Sequence, residues 1–198
     1  RINNPLTTPK FTRFSVNVGD IEDPTIPIRG LAPQRGSAAT IDFGDRRTLN
    51  AVWRDNALYV TTVIYPETGP DVNQVTAHWF KFDTSNPLVT KLADQGSVGG
   101  EELGWHVNTG WPAVNVDSQG NMVIGFAATG PNLYAGAYYA VRAPSDPPGT
   151  MRAPVALAEG LDSYGTIGSL RWGDYMSVAL DPSDGVTFWA YGEYALPR

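Results

Sequence analysis

Three stretches of this chain repeat one pattern, and the repetition limits the fold more than any other feature. Leu49–Ile64 (LNAVWRDNALYVTTVI), Trp111–Thr129 (WPAVNVDSQGNMVIGFAAT) and Tyr175–Glu193 (YMSVALDPSDGVTFWAYGE) each carry a small residue and Val, an acidic turn, and a second apolar strand. The shared valines Val52, Val114 and Val178 lie 62 and 64 residues apart. Each stretch reads as a β-hairpin, because Asp, Asn and Gly tolerate left-handed backbone or bond their own amides at such turns. The turns fall at Asp55-Asn56, at Asp117-Ser118-Gln119-Gly120 and at Asp181-Pro182-Ser183-Asp184-Gly185.

Two further strand-like runs follow the first hairpin, Val75–Asp83 and Leu88–Ala93, and two follow the second, Tyr134–Arg142 and Met151–Ala158. Four strands per repeat is the formula of a β-propeller blade. The repeat exceeds the common length of about 40–50 residues, so the excess is expected in loops at Gly96–Gly110 and Gly160–Arg171. The fold expected is all-β: about three four-stranded blades of a larger ring of six to eight, roughly within the range propellers use. Residues 49–98 and 111–158 would each be a blade and 172–195 the inner hairpin of a last one. Residues 1–48 would supply outer strands and a connecting loop.

The run Phe11–Val18 (FTRFSVNV) reads as an outer strand with no hairpin before it. It would complete the last blade, or belong to a blade preceding this stretch. Arg1 in place of Met reads as a processed or partial chain. The missing blades would then come from the same precursor, from another chain, or from a second copy, because unpaired strand edges favour association.

Composition removes several function classes. The formal net charge is −6, and nucleic-acid backbones call for a basic patch, which the sequence lacks. No apolar run approaches the roughly 18 residues of a spanning helix. Cysteine is absent, which removes thiolate metal sites and thiol nucleophiles. His78 and His106 lack the acidic spacing of a zinc site, and neither a Gly-x-Ser-x-Gly elbow nor a Gly-rich phosphate loop is present.

Arg171–Ala195 (RWGDYMSVALDPSDGVTFWAYGEYA) resembles a motif of secreted bacterial propellers related to sialidases, the BNR or Asp-box group. The matching residues are Gly173-Asp174-Tyr175, the acidic turn from Asp181 to Gly185, and Phe188-Trp189, with Val116–Phe126 a weaker cousin. The resemblance covers roughly the C-terminal two-thirds. No segment matches the full Ser-x-Asp-x-Gly-x-x-Trp box, and the arginine triad and Tyr–Glu pair of sialidases would be present only in part. The resemblance implies an extracellular, cell-surface or periplasmic protein.

Residues leading into the innermost strands would gather near the ring axis. These are Asp45, Arg46 and Arg47 before the first hairpin, and Trp105, His106 and Trp111 before the second. Arg171, Trp172, Asp174 and Tyr175 precede the third. Arg46, Arg47, His106, Trp111, Arg171 and Trp172 are the candidate ligand-binding residues. They offer guanidinium forks for carboxylate or sulfate and aromatic faces for sugar rings. Asp174 and Tyr175 are the catalytic candidates, an acid beside a phenol. The same residues would equally serve to lock neighbouring blades together. No metal site is expected, although Glu101-Glu102 in a Gly-rich loop admits a calcium ion. The function expected is a module that binds glycans or proteins, or a structural surface component. The alternative is a sialidase-like glycoside hydrolase or polysaccharide lyase acting on anionic glycans.

Overall fold

The computed structural model describes residues 1–22, 25, 30–44 and 46–197, and among them the regular structure is all β-strand, with no helix. Among the described residues no helix is long and apolar enough to cross a membrane. Two short strands, β1 (Ile2–Asn3) and β2 (Lys10–Phe11), pair with each other. The hairpin β3 (Leu31–Gln34) and β4 (Ser37–Asp42) follows. The first four-stranded sheet comprises β5 (Asn50–Arg54), β6 (Ala57–Ile64), β7 (Thr76–Asp83) and β8 (Lys91–Val98), antiparallel and in chain order. The second comprises β9 (Asn108–Val116), β10 (Met122–Gly130), β11 (Leu133–Arg142) and β12 (Val155–Ala158), arranged the same way. β13 (Ser169–Arg171) joins β4 in parallel, making a three-stranded sheet, and β14 (Ser177–Leu180) pairs with β15 (Phe188–Tyr191).

Turn chemistry sets the hairpins. Arg54 pairs with Ala57, leaving a two-residue loop in which Asp55 and Asn56 have φ of 48° and 62°. Those are the positive angles a type I′ turn demands. At the second tip the Asp117 carboxylate accepts from the amides of Gln119 and Asn121, each at 2.8 Å, and from Asn121 Nδ2 at 2.7 Å. At the third, Asp181 accepts from the Ser183 amide and from Trp189 Nε1.

The sheets pack face to face. Tyr59, Ala77 and Trp79 of the first sheet meet Val114, Ile124, Phe126 and Tyr138 of the second in one buried cluster. The opposite face of the second sheet, through Ala113 and Val123, receives Val178 and Phe188 of the β14–β15 hairpin. A sheet covered on both sides has no solvent face, so all nine residues of β10 are buried and its sequence does not alternate. Gly125 allows the close approach: a Cβ there would stand 2.9 Å from Val178 Cγ2.

The three repeated hairpins thus form where the sequence places them. Other boundaries differ. The expected Leu88–Ala93 and Met151–Ala158 strands are Lys91–Val98 and Val155–Ala158. Both expected loops include strand: Gly96–Gly110 takes in the end of β8 and the start of β9, and Gly160–Arg171 takes in β13. Residues 31–42, expected in a connecting loop, form the β3–β4 hairpin, since packing against Phe43, Val63 and Trp111 buries Ala32 and Ile41. Within Phe11–Val18 only Phe11 pairs, with Ile2. The rest is an unladdered strap whose half-buried Phe14 and Val16 alternate with exposed Arg13 and Ser15. It lies against the first sheet, where Gln95 Nε2 donates to the Val18 carbonyl at 3.0 Å, and does not extend the β14–β15 hairpin.

Candidate functional site

Trp111 and Trp172, with Arg46 and Arg171 beside them, lie where the three-stranded sheet β3–β4–β13 packs on the two four-stranded sheets. Ile41, Phe43, Val63, Tyr65, Trp111 and Trp172 share a buried cluster there. Trp111 takes φ of 51° beside an irregularity in the β9–β10 ladder, and its indole Nε1 donates to the Asp42 carbonyl at 3.2 Å. Trp172 is also buried and meets Tyr164 edge to face at 5.1 Å. Both tryptophans, expected to offer faces to a ligand, spend most of their surface on the core.

The cations lie at the border of this cluster. Arg46 pairs with Glu22 at 2.6 Å and lies over the Tyr65 ring at 5.6 Å. Burial pushes the Tyr65 phenol up to about 12; Arg46 opposes that rise and Asp42 adds to it. Parallel pairing sets Arg171 beside Asp42, and its exposed guanidinium pairs with Asp174. Arg47 is exposed, with its carbonyl accepting from Thr62 Oγ1 at 3.1 Å. Asp45 lies outside the described residues.

After Trp172 the chain turns sharply. Gly173 and Asp174 have φ of 57° and 54°, and two successive amides bond carbonyls only two residues back, Asp174 to Trp172 and Tyr175 to Gly173. Positive-φ turns of this kind are strained. They present Tyr175 to solvent at 70% exposure. The Glu193 carboxylate comes to 3.8 Å from where a side chain on Gly173 would begin. Tyr164, Trp172, Glu193, Tyr194 and Leu196 line a cleft of about 460 Å³ beside this turn. His106 does not join the cluster: it is exposed at φ of 51° and meets exposed Trp105 edge to face at 4.0 Å.

Tyr164, Glu193 and Tyr194 were not among the sequence candidates. Glu193 and Tyr194 belong to an aromatic–acidic–aromatic run at the end of the last hairpin, whereas Tyr164, before that hairpin, carried no such signal. A second feature was half legible. Glu101 stood out in its Gly-rich loop, but its neighbour in space, Asp71, did not. Both carboxylates press on Gly99, with Asp71 Oδ2 2.6 Å from where a side chain there would start. Burial, then Glu101, push the Asp71 carboxyl up to about 6, while the Gly100 amide opposes the rise. They line a cleft of about 540 Å³ with Ser97 and Arg152. Ser97 Oγ lies 3.0 Å from Nδ1 of buried His78, whose imidazole burial pulls down to about 4. Among the described residues no group of three or more His, Cys, Asp or Glu is placed to hold a metal ion.

No family model matches the chain, and neither a curated protein nor a solved structure matches it.

Proposed function

We propose that these sheets are blades of a β-propeller in an extracellular, cell-surface or periplasmic module that binds glycans, through the cleft bordered by Trp172. The face-to-face succession of antiparallel sheets, with β5 against β9 and β9 against β14, supports the blade reading. The observation that carries the binding reading is the pair of part-exposed rings, Tyr164 and Tyr194, that line the cleft with the Glu193 carboxylate over buried Trp172. Aromatic rings stack on sugar C–H faces, a carboxylate accepts from hydroxyls, and the exposed guanidinium of Arg171, next in the chain to Trp172, suits an acidic substituent.

Titration calorimetry with neutral and uronic- or sialic-acid-bearing oligosaccharides tests this. Tyr194→Ala should weaken binding of both kinds about tenfold, roughly the 1.4 kcal/mol of a lost stacking contact. Arg171→Gln should weaken only the acidic ligands. Binding that survives Tyr194→Ala unchanged, or no binding to either class, would sink the proposal.

A hydrolytic reading has one specific observation behind it, the Asp71–Glu101 pair. Glycoside hydrolysis uses two carboxyl groups whose environments separate their protonation, one of them an acid near neutral pH. Activity on aryl glycosides that Asp71→Asn abolishes would replace the binding reading with this one.

A further inference from the structure

The outward faces of the first sheet and of the β14–β15 hairpin complement each other. At one end the outward face of β5–β8 exposes Ala51 and Trp53, the latter at 60%. Trp53, Leu58 and Phe82 line a largely apolar cleft of about 1000 Å³ beneath Phe14 and Val16 of the N-terminal strap. At the other end β14–β15 turns Val178 and Phe188 inward and leaves Ala179, Trp189 and Tyr191 outside. Trp189 and Tyr191 are 65% and 64% exposed.

Charge divides the same way. Residues 1–19 contain Arg1, Lys10 and Arg13 and no acid, whereas residues 172–197 contain Asp174, Asp181, Asp184 and Glu193 and no Lys or Arg. The charges also meet at matching heights. Asn56 and Gly120, from the first and second hairpin tips, line one cleft, and the Ser118 amide donates to the Gly185 carbonyl, tying the second tip to the third. Arg1 and Arg13 line the apolar cleft beside Asn56, at the tip end where Asp181 and Asp184 stand on the opposite face.

We propose that a second copy of this chain docks head to tail, its Trp189–Tyr191 face entering the Trp53–Leu58–Phe82 cleft of the first. The contact repeats the packing already present within the chain: β5 against β9, β9 against β14, and then β14 against β5 of the next copy. It joins two different surfaces, so the assembly grows as a ring or a filament and not as a two-fold dimer. Apolar burial supplies the adhesion, and the basic strap against the acidic hairpin sets the direction.

The absence of native cysteine makes a direct test clean. Ala51 and Ala179 are small, exposed and on the strands that would meet. Under mild oxidation a mixture of Ala51→Cys and Ala179→Cys chains should form disulfide-linked pairs, and neither variant alone should. Sedimentation of the parent chain from about 1 to 100 µM, bracketing micromolar association, should show species above 21.4 kDa. Raising salt to about 1 M, where the Debye length falls to about 3 Å, should weaken association roughly tenfold. Trp189→Ser, checked for retained circular dichroism, should abolish it. A chain that stays at 21.4 kDa throughout overturns the proposal and assigns both faces to other partners. Cross-linking of Ala179→Cys with itself overturns it in favour of a symmetric contact.

Discussion

Thr109 offers the sharpest test of what holds the two four-stranded sheets together. It is fully buried at the start of β9, and its hydroxyl serves two strands of the first sheet. Oγ1 donates to the Val98 carbonyl at 2.5 Å and accepts from the Ala77 amide at 2.9 Å. Ala77 and Val98 face each other across the β7–β8 ladder, so the hydroxyl is inserted between partners that would otherwise bond each other. Thr109→Val keeps the shape and removes both bonds. A buried amide left without an acceptor costs about 1–3 kcal/mol, and the carbonyl, which keeps a second lone pair, adds less. The expected loss is therefore about 2–4 kcal/mol. In urea unfolding, with a slope of roughly 2–3 kcal/mol per molar, the midpoint should fall by about 1 M with the slope unchanged. Thr109→Ser keeps the hydroxyl, sheds one methyl, and should lose only about 1 kcal/mol. A Thr109→Val loss below about 0.5 kcal/mol, beneath the cost of even one unmet bond, would refute the reasoning. It would mean that Ala77 and Val98 close directly and the hydroxyl is not a structural tie.

Two other predictions concern pH and turn geometry. Folding raises the Asp71 carboxyl from 3.8 to about 6, so the folded state holds that proton more tightly. Its contribution to stability is lost as pH rises from about 4 through 6. Asp71→Asn should match the parent near pH 4 and melt at a higher temperature above pH 6. His78, pulled down to about 4, gives the opposite slope over much of the same window. The difference between variant and parent is therefore the quantity to follow, and a constant difference from pH 4 to 7 would contradict the assignment. Asn56 stands at φ of 62°, so Asn56→Ala should destabilise by about 1 kcal/mol, the left-handed penalty, and Asn56→Gly should not. Equal urea midpoints for the two would exclude the type I′ turn.

How much of this was legible depended on whether a residue's surroundings are local in sequence. Asp55-Asn56 and Asp117 through Gly120 declare their turns because the atoms that satisfy them lie within a few residues. The run of β10, apolar or small at every position but Thr129, suits a strand covered on both faces. The β3–β4 hairpin declares nothing: LAPQRGSAATID is rich in small residues and holds a proline, and its burial comes from clusters formed much later in the chain. β13 is three residues long and pairs in parallel with β4 across more than a hundred positions, a contact with no local signature.

That unread sheet is also why the site was only partly read. Trp111 and Trp172 looked like ligand platforms because residues leading into the innermost strands of a propeller would gather near its axis. Here β4 lies over them, with Trp111 Nε1 bonded to the Asp42 carbonyl and Arg171 in register with Asp42. The strand that hides the tryptophans therefore also aims the residues that stay outside. Arg171 is fixed by its pairing with β4. The strained turn that presents Tyr175 begins two residues later, and Glu193 is drawn up against that turn. The cleft at Tyr164 and Tyr194 is thus a product of long-range strand pairing. Its geometry should respond to changes in residues 37–42 at least as strongly as to changes in the β14–β15 hairpin.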